Sequence, residues 1–292
     1  MRNKLNKVVS GLLFAFMLAL LATTLSPAQT VNAAEKVTHS FLGCDYILKP
    51  NQKVQLSYYS NCTWSSENSK IASVDQNGKV TAKKAGMVNI YATTSSGYKA
   101  LVAFVGVKTK SYYPASEKKY KIGKDIPAGE YMLFKDPKVE YNYGFWTTYP
   151  SNKKNAKLID IASTNYATTV KLQKGNYVEI TGGYMVPLKK ASKSVFSLKN
   201  LNKKMASATK DQYCQVDVKG GYGLAAGTYR VTLSKKAEYG SVRVSSQPRG
   251  SKYNANKVTS SATVSKSRKT ATFVIKKGQY ATIQNCTLKK IK

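Results

Sequence analysis

The sequence predicts an all-β protein: a small N-terminal β-sandwich followed by two duplicated small modules of β-sandwich or jelly-roll type. Three observations carry this reading. Apolar residues recur with a period of two in short runs, as in Val54, Leu56, Tyr58 and again in Val88, Ile90, Ala92, the spacing of half-buried strands. Turn signals separate the runs; Asn77-Gly78, between IASVD and KVTAKK, is a hairpin pair because both residues tolerate positive φ. Finally, YKIGKDIPAGEYMLF (residues 120–134) returns as VKGGYGLAAGTYRVTL (218–233), and each copy closes on a Lys-Gly-x-Tyr phrase, VKLQKGNYVEI from Val170 and FVIKKGQYATI from Phe273. Gly129 pairs with Gly227 at an offset of 98 and Gly175 with Gly278 at an offset of 103, so two anchor phrases recur in the same order.

The elements then fall in order. Residues 1–34 form a secretory signal peptide: Arg2, Lys4 and Lys7 precede an apolar run from Val8 to about Leu25, and Val31-Asn32-Ala33-Ala34 supplies small residues at a cleavage site. An uncleaved anchor is the alternative, because the run approaches membrane-spanning length. No transmembrane segment is expected in the mature chain, and neither a lipoprotein cysteine nor a C-terminal sorting motif is read. Residues 38–110 form the first sandwich. The repeats occupy 113–191 and 213–292, and the Lys/Ser/Asn-rich stretch 192–212 reads as a linker whose apolar insert Val195-Phe196-Ser197-Leu198 docks on a neighbour. No amphipathic helix of convincing length is predicted.

The segment WSSENSKIASVDQNGKVTAKKAGMVNIYA, Trp64 to Ala92, resembles the bacterial immunoglobulin-like domain, group 2. The resemblance lies in the Trp-Ser-Ser opening, the Ala-x-Val-Asp strand, the Asn-Gly turn, Lys-Val-Thr-Ala and the Ala-Gly before the next strand. It implies an Ig-like sandwich of a type common in surface adhesins and wall-associated proteins, with Trp64 in the core. It implies no catalytic residue and no ligand, because function does not follow from fold. The IPAGEY phrase is similar to repeats of secreted Gram-positive surface proteins, a likeness that carries no activity.

Charge is the largest physical signal. Of the formal net charge of +33, residues 201–292 contribute +16, from 19 Lys/Arg against 3 acids. Lys235, Lys236, Arg243, Arg249, Lys252, Lys257, Lys266, Arg268, Lys269, Lys276 and Lys277 stand almost without acids and are the candidate polyanion-binding residues. Such a field favours polyanionic partners and is screened by salt. Export directs it to anionic cell-wall polymers, acidic lipid headgroups, sulfated glycans or extracellular nucleic acid. The competing reading is that lysine-rich strand faces serve solubility and blunt sheet edges.

A second candidate surface is aromatic. Tyr141, Tyr143 and Phe145 share one face of a strand and would stack sugar rings, whereas Trp146 points to the core; plain packing is the alternative. Presence of Cys214 and Cys286 in one repeat and absence of both equivalents in the other predicts a disulfide, and Cys44–Cys62 is its counterpart in the first domain. The loops would span 18 and 72 residues, each disulfide adding roughly 3–5 kcal/mol. Free buried thiols are the alternative.

No enzyme is read from the sequence. The single histidine, His39, follows the cleavage site closely, no Cys-x-x-Cys spacing exists, and no glycine-rich phosphate loop precedes a helix, so no metal or cofactor is expected. Asp125, Glu130 and Asp136 cluster in sequence but read as surface acids offsetting nearby lysines rather than a glycosidase pair. The expected protein is therefore a secreted, non-enzymatic surface or wall-associated binding protein held non-covalently on anionic polymer, with a glycan-binding adhesin as the alternative.

Overall fold

The computed structural model describes residues 43–137, 143–207, 215–250 and 258–292. The predicted leader, His39, Tyr141, Cys214, Lys252 and Lys257 lie outside them. The described chain is nearly all β. The first domain comprises Tyr46–Leu48 (β1), Lys53–Gln55 (β2), Thr63–Ser66 (β3), Ala72–Val74 (β4), Lys79–Ala82 (β5), Gly86–Thr93 (β6) and Lys99–Val107 (β7). They form two sheets, β1-β7-β6-β3 and β2-β5-β4, with β1 parallel to β7 and the other pairs antiparallel. Period-two alternation places Trp64, Val80, Val88, Ile90 and Val105 in the core between them.

Next come Tyr113–Pro114 (β8), Tyr120–Lys121 (β9), Gly129–Lys135 (β10), Gly144–Tyr149 (β11), Asp160–Thr164 (β12), Ala167–Leu172 (β13), Tyr177–Thr181 (β14) and Gly183–Pro187 (β15). The C-terminal strands are Gln215–Lys219 (β16), Gly227–Leu233 (β17), Tyr239–Ser245 (β18), Val258–Ser265 (β19), Thr270–Ile275 (β20), Tyr280–Gln284 (β21) and Cys286–Lys290 (β22). The middle module has sheets β13-β10-β15-β8 and β12-β11-β14-β9; the last has β20-β17-β22 and β19-β18-β21-β16. Strand for strand the order is the same, except that among the described residues no strand lies against β22 at the edge where β8 pairs with β15.

The anchor phrases have a local physical purpose. Gly129 and Gly227 open β10 and β17 at φ 147° and 150°, outside the range of L side chains, and so turn the chain into the strand. Two residues on, Tyr131 and Tyr229 enter the cores at 2% and 1% exposure, and each hydroxyl donates back four residues, to Pro127 O (2.8 Å) and Ala225 O (2.7 Å). The later Lys-Gly turn is fastened alike in both modules: Gly175 N donates to Ile122 O (3.0 Å), and Gly278 N to Gly220 O (2.9 Å).

The stretch read as a linker folds where it is described. After two 3₁₀ turns, Leu188–Lys190 and Lys193–Phe196, a helix (α1) spans Leu198–Met205. Ser197 caps it by accepting from Asn200 N, and Lys203 and Lys204 lie in its last turn, where cations suit the helix dipole. Phe196, Leu201 and Met205 are fully buried in the core of the last module. Sequence analysis did not single this helix out: at eight residues α1 is too short for its periodicity to stand out, and burial of one face sustains it. Asn202 shows its role, donating to Leu288 O and accepting from Leu288 N, both at 2.7 Å. Its amide pairs with β22 as a neighbouring strand would.

Cys44 and Cys62 do not form the expected disulfide, and the expected Cys214–Cys286 pair rests on Cys214, outside the described residues. Cys44, Cys62 and Cys286 are free thiols. Cys44 is 1% exposed and belongs to the core of the middle module, its N–H bonded to Ala115 O (3.0 Å), whereas Cys62 packs against the core of the first domain. The two serve different cores. Cys286 is buried with its Sγ 3.6 Å from Ser241 O, and burial pushes its thiol up to about 12.

Two outcomes follow. Tyr229→Phe removes one hydrogen bond without a cavity and should lower unfolding free energy by about 1 kcal/mol in urea titration. Under native conditions a thiol-reactive probe should label Cys62 well before Cys44 or Cys286, and peptide mapping should find no Cys44–Cys62 crosslink.

Candidate binding surfaces

The candidate cations divide into separate groups. β17 and β20 are antiparallel, with Thr232 opposite Thr270, and Leu233 N donates to Lys269 O at 3.2 Å. Tyr239 pairs with Ser265 across β18 and β19. The turn carrying Lys235 and Lys236 therefore lies at the same end of the sandwich as the turn carrying Lys266, Arg268 and Lys269. All five are exposed. Lys266 reaches Glu238 at 3.4 Å, an open pair with side chains 74% and 55% exposed, and the other four form no ion pair among the described residues. Lys276 and Lys277 occupy the turn after β20, at the opposite end, and Arg243 projects mid-strand from the outer face of β18, between inward Val242 and Val244.

Arg249 does something else. Its guanidinium grips Asp160, Nη2 to Oδ1 at 2.6 Å and Nε to Oδ2 at 3.0 Å, and Gly250 N adds a bond to Oδ2 at 2.8 Å. Asp160 is 1% exposed and belongs to the middle module. The guanidinium also lies 5.9 Å from the Trp146 ring, and Arg249 O accepts from Lys171 N at 2.8 Å. Arg249 is thus an inter-module tie rather than part of an open cationic surface, because a buried carboxylate holds its fork.

Acids serve the same interface, and Glu130, expected on the surface, is one of them. The outer face of β10 and β13 packs on the sheet containing β16 and β21, so Met132 and Ala167 join the core of the last module. Asp217, 2% exposed, accepts from Thr168 Oγ1 (2.6 Å) and Thr282 Oγ1, while its backbone carbonyl accepts from Thr169 Oγ1 at 3.2 Å. Glu130 accepts from Lys219 Nζ at 2.6 Å and from the Tyr280 hydroxyl. Burial alone would raise the Glu130 carboxyl, but hydrogen bonds from Lys219 and Tyr280, with the charges of Lys219 and Lys171, outweigh it and leave it below its ordinary value. Asp136 is likewise buried, at 6% exposure, and Asp125 accepts from Lys121 N at 2.9 Å.

The aromatic face is half-closed. Tyr143 and Phe145 are partly buried with ring centroids 6.2 Å apart, and Trp146 is fully buried. Further along the same face Tyr149 is covered by Lys119 Nζ, 3.7 Å above its ring, and its hydroxyl donates to Glu179 Oε2 at 3.1 Å.

A cleft of about 940 Å³ opens where the middle and last modules meet. Lys110, Lys189, Lys193, Lys219 and Lys277 line it beside Glu130, with Pro127, Pro187, Leu188 and Tyr222 as apolar wall and Gly220, Gly221 and Gly278 as floor. Tyr222 donates its hydroxyl to Leu188 O at 2.6 Å, fixing the connecting segment against the last module. Residue spacing does not reveal this site, because its lysines come from four separate stretches of chain. Exposed Arg230 and Lys289, cross-strand neighbours on β17 and β22, were equally outside the sequence-derived set. Arg230 is foreshadowed only by its alignment with Met132, which packs where Arg230 is open.

Residues 48–105 match the family described as Bacterial Ig-like domain (group 2). No curated protein sequence matches the chain. Among solved structures, an intimin mutant from EHEC O157:H7 is 28% identical over 26% of this chain and 42% of its own, with a TM-score of 0.20. The matched part is less than half of the intimin chain, and a score that low carries no structural argument.

The interface makes two tests available. Asp160→Ala strands the Arg249 guanidinium and the Gly250 N–H, and should cost about 3 kcal/mol in urea unfolding. A carboxyl depressed by folding adds stability that is fully present above its unfolded value, here 4.5, and is lost as pH falls through the folded value. Glu130→Gln should therefore lower stability at neutral pH and flatten its decline below pH 4.5, read from denaturation midpoints across pH.

Proposed function

We propose that this is a bacterial cell-surface binding protein without enzymatic activity, retained on anionic wall polymer by the basic end of its last module. The observation that carries the reading is the cluster of Lys235, Lys236, Lys266, Arg268 and Lys269 at one end of the sandwich, four of them without an ion-pair partner among the described residues. Converging like charges repel one another, and a polyanion relieves that repulsion while releasing its own counterions. The Ig-like domain at 48–105 supports a surface or adhesin-like role, as does the export leader read from the sequence. The strand order shared by the two following modules, β8 aside, supports their being copies of one unit.

Sedimentation of the purified protein with Gram-positive cell walls across a salt series tests this. Retention should fall steeply with salt, disappear from walls stripped of teichoic acid, and weaken when Lys235, Lys236 and Lys269 are changed to Gln. Salt-resistant retention, or retention indifferent to the polymer, would refute it and turn attention to Tyr143 and Phe145.

A further inference from the structure

The cleft between the middle and last modules lies at the other end of β17 and β20 from the basic cluster, and its composition is unlike a structural seam. Five lysines face one carboxylate. Lys219 is matched to Glu130 at 2.6 Å, which leaves Lys110, Lys189, Lys193 and Lys277 without an ion-pair partner among the described residues. These four come from the strand-to-strand connection after the first domain, the inter-module segment and the turn after β20, so only the packed arrangement brings them to one opening.

Nothing in the fold needs them there, since the modules are already joined through Asp160, Asp217 and Glu130. A cleft lined by one sign of charge on apolar walls concentrates counter-ions from solution. At about 940 Å³ it has the volume of a site for a small ligand. Gly278 has open space where a side chain would stand, so a ligand can approach its backbone closely. No arginine lines it, so recognition is by spaced point charges and not by the bidentate fork suited to a single carboxylate or phosphate.

We propose that this cleft is a discrete binding site for a short, multiply anionic saccharide or polyol. The lysines receive oxyanions spaced along a hydroxylated backbone, and Tyr222 with the two prolines contacts its carbon skeleton. Phosphodiester-linked polyols and sulfated sugars share this chemistry.

Isothermal titration of the full mature protein with a synthetic glycerol phosphate tetramer, and separately with a sulfated tetrasaccharide, distinguishes the sources. Two triple variants carry equal charge change: Lys110, Lys189 and Lys193 to Gln in the cleft, and Lys235, Lys236 and Lys269 to Gln at the far end. All six side chains are exposed, so both variants should keep the wild-type melting temperature. The expected result is saturable binding of at least one probe with one site per chain, weakened about tenfold by the cleft variant and unchanged by the other. No saturable binding of either probe, or equal weakening by both variants, would overturn the proposal. Wall retention is read from the far-end variant, so either idea can fail without the other.

Discussion

The arrangement of the C-terminal two-thirds depends on carboxylates withdrawn from water between two β modules. Asp160 and Asp217 are nearly inaccessible, and every described contact they make on the opposing module is a directed hydrogen bond. A seam of this kind is specific more than it is strong. Desolvating each carboxylate costs several kcal/mol, which the Arg249 fork and the threonine hydroxyls offset only in one register. Met132 and Ala167 supply the apolar part of the contact. Fixed registry is what brings Lys110, Lys189 and Lys277 to one cleft. A flexible tether would leave them as scattered solvent charges.

The middle and last modules close the same sheet edge in two ways. In the middle module β15 is covered by β8, Met185 pairing with Tyr113. In the last, the equivalent residue Leu288 meets the side-chain amide of Asn202 from α1. Both satisfy the same backbone groups, one with a strand and one with a side chain that imitates a peptide. Substitution of a helix for a strand alters the outline of the module without altering the strand order inside it.

Polar residues also mark which faces are used. Met132 and Phe134 on β10 pack on the last module, whereas their counterparts Arg230 and Thr232 on β17 face solvent. The corresponding sheet face is therefore a docking surface in the middle module and a charged exterior in the last. The surplus of cations follows from that exchange together with lysine-rich turns. It leaves the two ends of the last module chemically distinct: an open basic tip at one, a lysine-lined cleft at the other.

Period-two alternation, the Asn77-Gly78 turn and the repeated glycine–tyrosine phrases were enough to determine the all-β class, a sandwich for the first domain and the inward tyrosines, because each is a local consequence of strand geometry; its Ig-like character was carried by the family resemblance of Trp64 to Ala92. The same reading placed Trp64 and Trp146 inside. It could not assign the cysteines, since loop length says nothing about which core each thiol joins, nor detect α1, whose stability comes from burying Phe196, Leu201 and Met205. Glu130 was misread as a solvent group and Arg249 as an open cation for one reason. Burial and pairing are properties of the contact between modules, made by residues about 89 positions apart in the chain, and a one-dimensional pattern carries no record of that contact. Charge and periodicity were thus written in the sequence, but which charges meet, and which are left facing an opening, only the packed structure decided.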